Sequence, residues 1–96
     1  MRNPKFHKLL KEIAELHDAK NNDYSTSEDA LSNFRLCENF GIPAWKGCLV
    51  RMSDKWSRIT QLSKKEASVK SETIVDTLKD LAVYSLICTI LYEESK

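Results

Sequence analysis

The chain has 96 residues, enough for one domain and too few for a catalytic domain with a separate cofactor domain. At 42% apolar and 30% charged residues, with only two glycines and two prolines, its composition excludes a disordered polymer and favours helices. Fifteen Lys and Arg against fourteen Asp and Glu leave a net charge of +1, so no overall field draws the chain to nucleic acid or to a membrane, and local clusters must carry any electrostatic role.

Asn3 followed by Pro4 predicts a helix start, a side-chain oxygen for the free amides and then a ring already at helical φ. Phe6, Leu9, Leu10, Ile13 and Leu16 recur at three and four and predict one apolar stripe, with the helix running to about Lys20, where Asn21 and Asn22 can end it. Thr26 or Ser27 can cap a short second helix with Glu28 and Asp29 in its first turn; Leu31, Phe34 and Cys37 form its buried side and Gly41 stops it. Phe40, Ile42 and Pro43 are expected to anchor the joint that follows.

A third helix begins near Pro43 and places Trp45, Cys48, Leu49, Met52, Trp56 and Ile59 on one side, with Arg51, Asp54, Lys55 and Arg58 on the opposite flank. After a polar link from Ser63 to Ser71, a fourth helix capped by Ser71 carries Ile74, Leu78, Leu81 and Ala82 toward the core and continues to about Glu93. No stretch alternates with period two for long enough to make a sheet, so the expectation is a single all-α domain over residues 1–96, a small bundle of about four helices. A chain this short buries a small core, which makes self-association expected.

Three cysteines, Cys37, Cys48 and Cys88, are odd in number and lack a Cys-x-x-Cys spacing, which fits reduced packing residues. The opening residues lack a secretory pattern, and the apolar run 81–92 is too short for a bilayer. A cytoplasmic protein without a membrane partner is the expectation.

Glu72, Asp76 and Asp80 recur every four residues and form an acidic column at the start of the fourth helix, continued on the same face by Val83, Ile87 and Ile90. That apolar continuation is expected to be covered by a second copy. The acids either complement the helix N-terminus in solvent or hold a hard divalent cation such as Mg²⁺. Three carboxylates spread over ~12 Å of helix axis cannot share one ion, so Asp54 on the third helix is the natural further ligand. Arg51, Lys55 and Arg58 around Asp54 either pair with it along the helix or hold phosphate groups. Lys20 and Tyr24, just beyond the predicted first helix, form either an ordinary helix stop or a phosphate-reaching and base-stacking pair. Glu12 and Glu15 have a metal-helix spacing but are expected to be solvated. No catalytic triad, glycine-rich phosphate loop or RNA-binding aromatic motif is visible, so no catalytic residue is assigned and nucleic acid is not an expected partner.

Taken in order, Lys20-x-x-Asp23-Tyr24, Asn33-Phe34, the run Arg-Met-Ser-Asp-Lys-Trp-Ser-Arg from Arg51 to Arg58, and Glu72 through Tyr84 with its Asp-Thr-x-x-Asp-Leu-x-x-Tyr pattern resemble the nucleotide modification associated domain 1 family of phages and bacteria. The resemblance spans about residues 16–92. It implies a helical, phage-type protein of nucleotide metabolism, placed in the host cytoplasm if phage-encoded. The chain is more distantly similar to MazG-type all-α nucleoside triphosphate pyrophosphohydrolases, which implies Mg²⁺ held by Asp54, Glu72, Asp76 and Asp80, and phosphates received by Lys20, Arg51, Lys55 and Arg58, with Tyr24 at the base. Two departures stand out: Ser25 follows Tyr24 where the family usually has Gly, and the third helix offers only Asp54 where MazG-type sites use two acids. Two functions therefore stay open, a Mg²⁺-dependent pyrophosphohydrolase and a non-catalytic oligomer that sequesters a nucleotide or signalling nucleotide.

Overall fold

A computed structural model describes residues 2–24, 31–64 and 74–96, with the side chains of residues 20–24 excepted. The described elements are α1 (Pro4–Tyr24), a 3₁₀ helix (Ser32–Phe40), α2 (Ala44–Lys64) and α3 (Ile74–Glu94), without a strand among the described residues, so the all-α expectation holds. No described helix is long and apolar enough to cross a membrane.

Asn3 caps α1 as its sequence requires: its Oδ1 accepts from the amides of Lys5 at 3.0 Å and Phe6 at 3.3 Å. The helix does not stop at Lys20. It continues through Asn21 and Asn22 to Tyr24, because neither asparagine is forced into the left-handed conformation and no residue but Gly41 has a positive φ among the described residues. The expected cap at Thr26 or Ser27, with Glu28 and Asp29, lies outside the described residues. Beyond them the second helix is 3₁₀ rather than α, and it ends where Gly41 turns at φ 78°, with its amide donating to the Glu38 carbonyl at 3.0 Å. Phe34 and Cys37, three apart, face α2, since a 3₁₀ helix stacks residues i and i+3. Phe40 is 83% exposed and Ile42 also projects outward, so neither anchors the joint.

The core forms where α2 and α3 run antiparallel. Ala44 and Cys48 of α2 meet Ile87 and Leu91 of α3, with Leu31 closing the cluster and Phe34, Trp45, Val83, Tyr84 and Cys88 packed around it. Small residues on α2 bring the backbones close enough for two reciprocal thiol contacts: Cys48 Sγ donates to the Tyr84 carbonyl at 3.4 Å and Cys88 Sγ to the Trp45 carbonyl at 3.6 Å. All three cysteines are free. Cys37 closes the 3₁₀ helix onto α2 at Gly47, where a Cβ would lie 2.5 Å from its sulfur.

The core side of α3 differs from the expected one. Ile74 and Leu78 are exposed and Leu81 and Ala82 half-buried, whereas Thr77, Ile87 and Leu91 are the buried positions. Because α3 is apolar nearly all round, periodicity did not select a side; the small residues of α2 did. Ile87 is therefore a core residue at 3% exposure, and α1 of the same chain meets part of the face of Val83, Ile87 and Ile90, with Ile90 still 45% exposed. That contact is loose. An apolar cleft of about 230 Å³ lies between Leu10, Ile13 and Ala14 of α1 and Val83, Leu86 and Ile90 of α3.

Candidate functional site

The cationic flank of α2 meets two aromatic rings supplied by other elements. The Arg51 guanidinium carbon lies 4.8 Å from the centre of the Phe34 ring on the 3₁₀ helix, and Lys55 Nζ lies 6.0 Å from the centre of Tyr84 on α3. Phe34 and Tyr84 touch edge to face at 5.9 Å, so the two cation contacts belong to one cluster at the junction of three elements.

Lys55 also donates to Asp80 Oδ2 at 3.1 Å, with side chains 24% and 22% exposed. Antiparallel packing makes this pair: Cys48 and Lys55 are two turns apart on α2, and Tyr84 and Asp80 one turn apart on α3. The pair is shielded from solvent more than most surface pairs, which raises its electrostatic strength above the usual few tenths of a kcal/mol. Arg51 is differently placed. It is exposed, and a ring face stabilises its charge without using up the in-plane N–H donors that bind a phosphate or carboxylate in pairs.

The remaining candidates divide into three groups. Arg58 and Asp54 are exposed on α2, and Asp76 is exposed in the first turn of α3, one turn before Asp80. Lys20 and Tyr24 lie in the last turns of α1, rather than in a loop, and their side chains are outside the described set. Glu72 lies outside the described residues. Among the described residues, no three His, Cys, Asp or Glu side chains converge as ligands of a metal ion. Asp80 is directed to Lys55, so the described carboxylates do not by themselves fit a Mg²⁺ ion. Glu12 is not simply solvated: its Oε2 accepts from Lys79 Nζ at 3.2 Å, tying α1 to α3.

Sequence reasoning found Arg51 and Lys55 as cations in excess of Asp54 but assigned no site role to Phe34 or Tyr84. Both rings occur in the quoted Asn33-Phe34 and Asp80-Leu81-x-x-Tyr84 patterns, but nothing in those patterns sets them beside the cations. Burial pushes the Cys48 thiol up to about 11, with Cys88 adding to the shift and Arg51 opposing it. That thiol is a packing group, protonated and without nucleophilic character at neutral pH. No family model, no curated protein and no solved structure matches the chain.

Proposed function

We propose that the chain is a small nucleotide-binding protein whose phosphate contacts come from the Arg51 and Lys55 flank. The observation that supports this reading is the pairing of an exposed guanidinium with a ring that holds it in place, Arg51 over Phe34 at 4.8 Å. A restrained cation loses less side-chain freedom on binding an anion than a free one. Lys55, one turn away, would reach a phosphate from its pair with Asp80, and Arg58 lies one turn beyond Lys55. The resemblance to nucleotide-metabolism proteins points to the same class of ligand, and binding needs no metal ion from the described carboxylates. Self-association, expected from the short chain, belongs to the same proposal.

Calorimetric titration with nucleoside mono-, di- and triphosphates, with and without Mg²⁺, tests it. Saturable binding of at least one nucleotide is expected, weakened by roughly 1.5 to 3 kcal/mol in Arg51→Ala through loss of a charge-assisted hydrogen bond. Absence of saturable heat with every nucleotide at millimolar concentration overturns the reading. Conversion of a triphosphate to monophosphate and pyrophosphate, dependent on Mg²⁺ and lost in Asp76→Asn, would instead make the protein a pyrophosphohydrolase.

A further inference from the structure

The α2–α3 hairpin has a second long side, turned away from α1, and it is apolar. On α2 the positions Trp45, Leu49, Met52, Trp56 and Ile59 repeat at four and three; on α3 the corresponding positions are Ile74, Leu78, Leu81, Ser85, Thr89 and Tyr92. None carries a charge, in a chain whose residues are 30% charged. Trp56 is 64% exposed, Leu78 49%, Leu49 45% and Tyr92 43%. With full side chains of roughly 150 to 250 Å², these four alone present an apolar surface on the order of 400 Å², and the half-buried residues between them extend it toward the ~800 Å² that each partner contributes to a stable interface.

Two features make the face complementary to itself. Its polar members need no water: Ser85 Oγ donates to the Leu81 carbonyl and Thr89 Oγ1 to the Ser85 carbonyl, both at 2.9 Å, so each hydroxyl is bonded within its own helix. Its relief is a knob and a hole. Trp56 protrudes at one end, while at the other a groove of about 390 Å³ opens between Trp45 and Leu49 of α2 and the small Cys88 and Thr89 of α3, walled by Tyr92 and edged by the charged Glu93 and Lys96. Trp45 and Tyr92 meet edge to face at 5.1 Å and fix that wall. A two-fold axis between knob and hole satisfies both at once, and the equal 21-residue lengths of α2 and α3 let the helices of two hairpins overlie end to end. A net charge of +1 sets up little repulsion between copies.

We propose that this face pairs with the same face of a second copy, Trp56 of each entering the groove beside Tyr92 of the other. The proposal deepens the self-association part of the proposed function by naming its surface, and it is independent of where nucleotide binds. Sedimentation equilibrium of the full chain at micromolar concentration is expected to give twice 11.1 kDa. Trp56→Ala and Leu49→Glu should each weaken the dimer at least about a hundredfold, because a symmetric contact loses the same side chain twice. Trp56 is 64% and Leu49 45% exposed in the single chain, so circular dichroism should report unchanged helix content. Leu86→Glu, exposed on the α1 side, should leave the dimer intact. Wild type sedimenting only at 11.1 kDa overturns the proposal, as does a dimer that survives Trp56→Ala and Leu49→Glu or dissociates in Leu86→Glu alone. Nucleotide titration of the wild type beside the sedimentation run keeps the two readings apart: a monomer that binds nucleotide removes the dimer and leaves the binding, and a dimer that binds none removes the binding and leaves the dimer.

Discussion

Helix α3 meets two neighbours in two different ways. Against α2 it packs through small side chains, with the backbones close enough for thiols to reach carbonyls across the seam. Against α1 it meets large, half-exposed side chains across a cleft, and an ion pair from Lys79 to Glu12 joins the two helices. Both neighbours are amphipathic 21-residue helices, so length and apolar content do not set the difference. Small residues at the contact do. Ala44 and Cys48 let α2 approach, whereas Leu10 and Ile13 hold α1 away and leave a space that no described side chain fills.

The contrast is broken most directly at Leu91. Leu91→Ala should cost about 3 kcal/mol in urea unfolding, whereas Leu10→Ala should cost below about 1 kcal/mol, since one removes core atoms and the other atoms that line a cleft. Equal losses would mean that α1 is as firmly docked as α2. Alkali provides the next test. Cys48 ionises near 9 when unfolded and near 11 when folded, so the folded state holds its proton more tightly between those values. Stability should be unaffected by this group below pH 9 and fall as pH rises from 9 to about 11, and Cys48→Ala should flatten that segment of the stability profile.

A smaller effect is expected at Gly47. Its substitution by Ala pushes the new methyl against the Cys37 sulfur and should destabilise by about 1 kcal/mol, while the same change in a Cys37→Ala background should stabilise through the better helix propensity of Ala. A sign that does not reverse would show that the 3₁₀ helix yields freely. The least effect is expected from Glu12→Gln: a few tenths of a kcal/mol, screened by salt, because the pair is partly exposed to solvent.

These differences mark what the sequence could and could not convey. The Asn3 cap, the Gly41 turn and the helical periodicity rest on contacts within a few residues, so composition and spacing reveal them. The side of α3 that faces the core depends on what α2 presents, and a helix apolar on most of its circumference carries no internal record of that choice. Arg51 and Lys55 were visible as cations with too few acids nearby. Their ring partners were not assigned a role, since Phe34, Lys55 and Tyr84 lie on three separate elements and only the hairpin brings them together. The acidic column was visible too, but its Asp80 goes to Lys55, a pairing that only the antiparallel register determines.

The Lys79–Glu12 pair joins positions 67 apart in the chain, and that separation orders events during synthesis. Helix α1 leaves the ribosome before α2 and α3, yet the surface it docks on belongs to α3. The α2–α3 seam closes a short loop and should form as soon as both helices are out, whereas α1 waits with Phe6, Leu9 and Leu10 in water until α3 is complete. Released chains truncated before Ile74 should therefore be cleaved within α1 by a low dose of protease, and chains extended past Glu94 should resist it, so that protection of α1 follows the completion of α3.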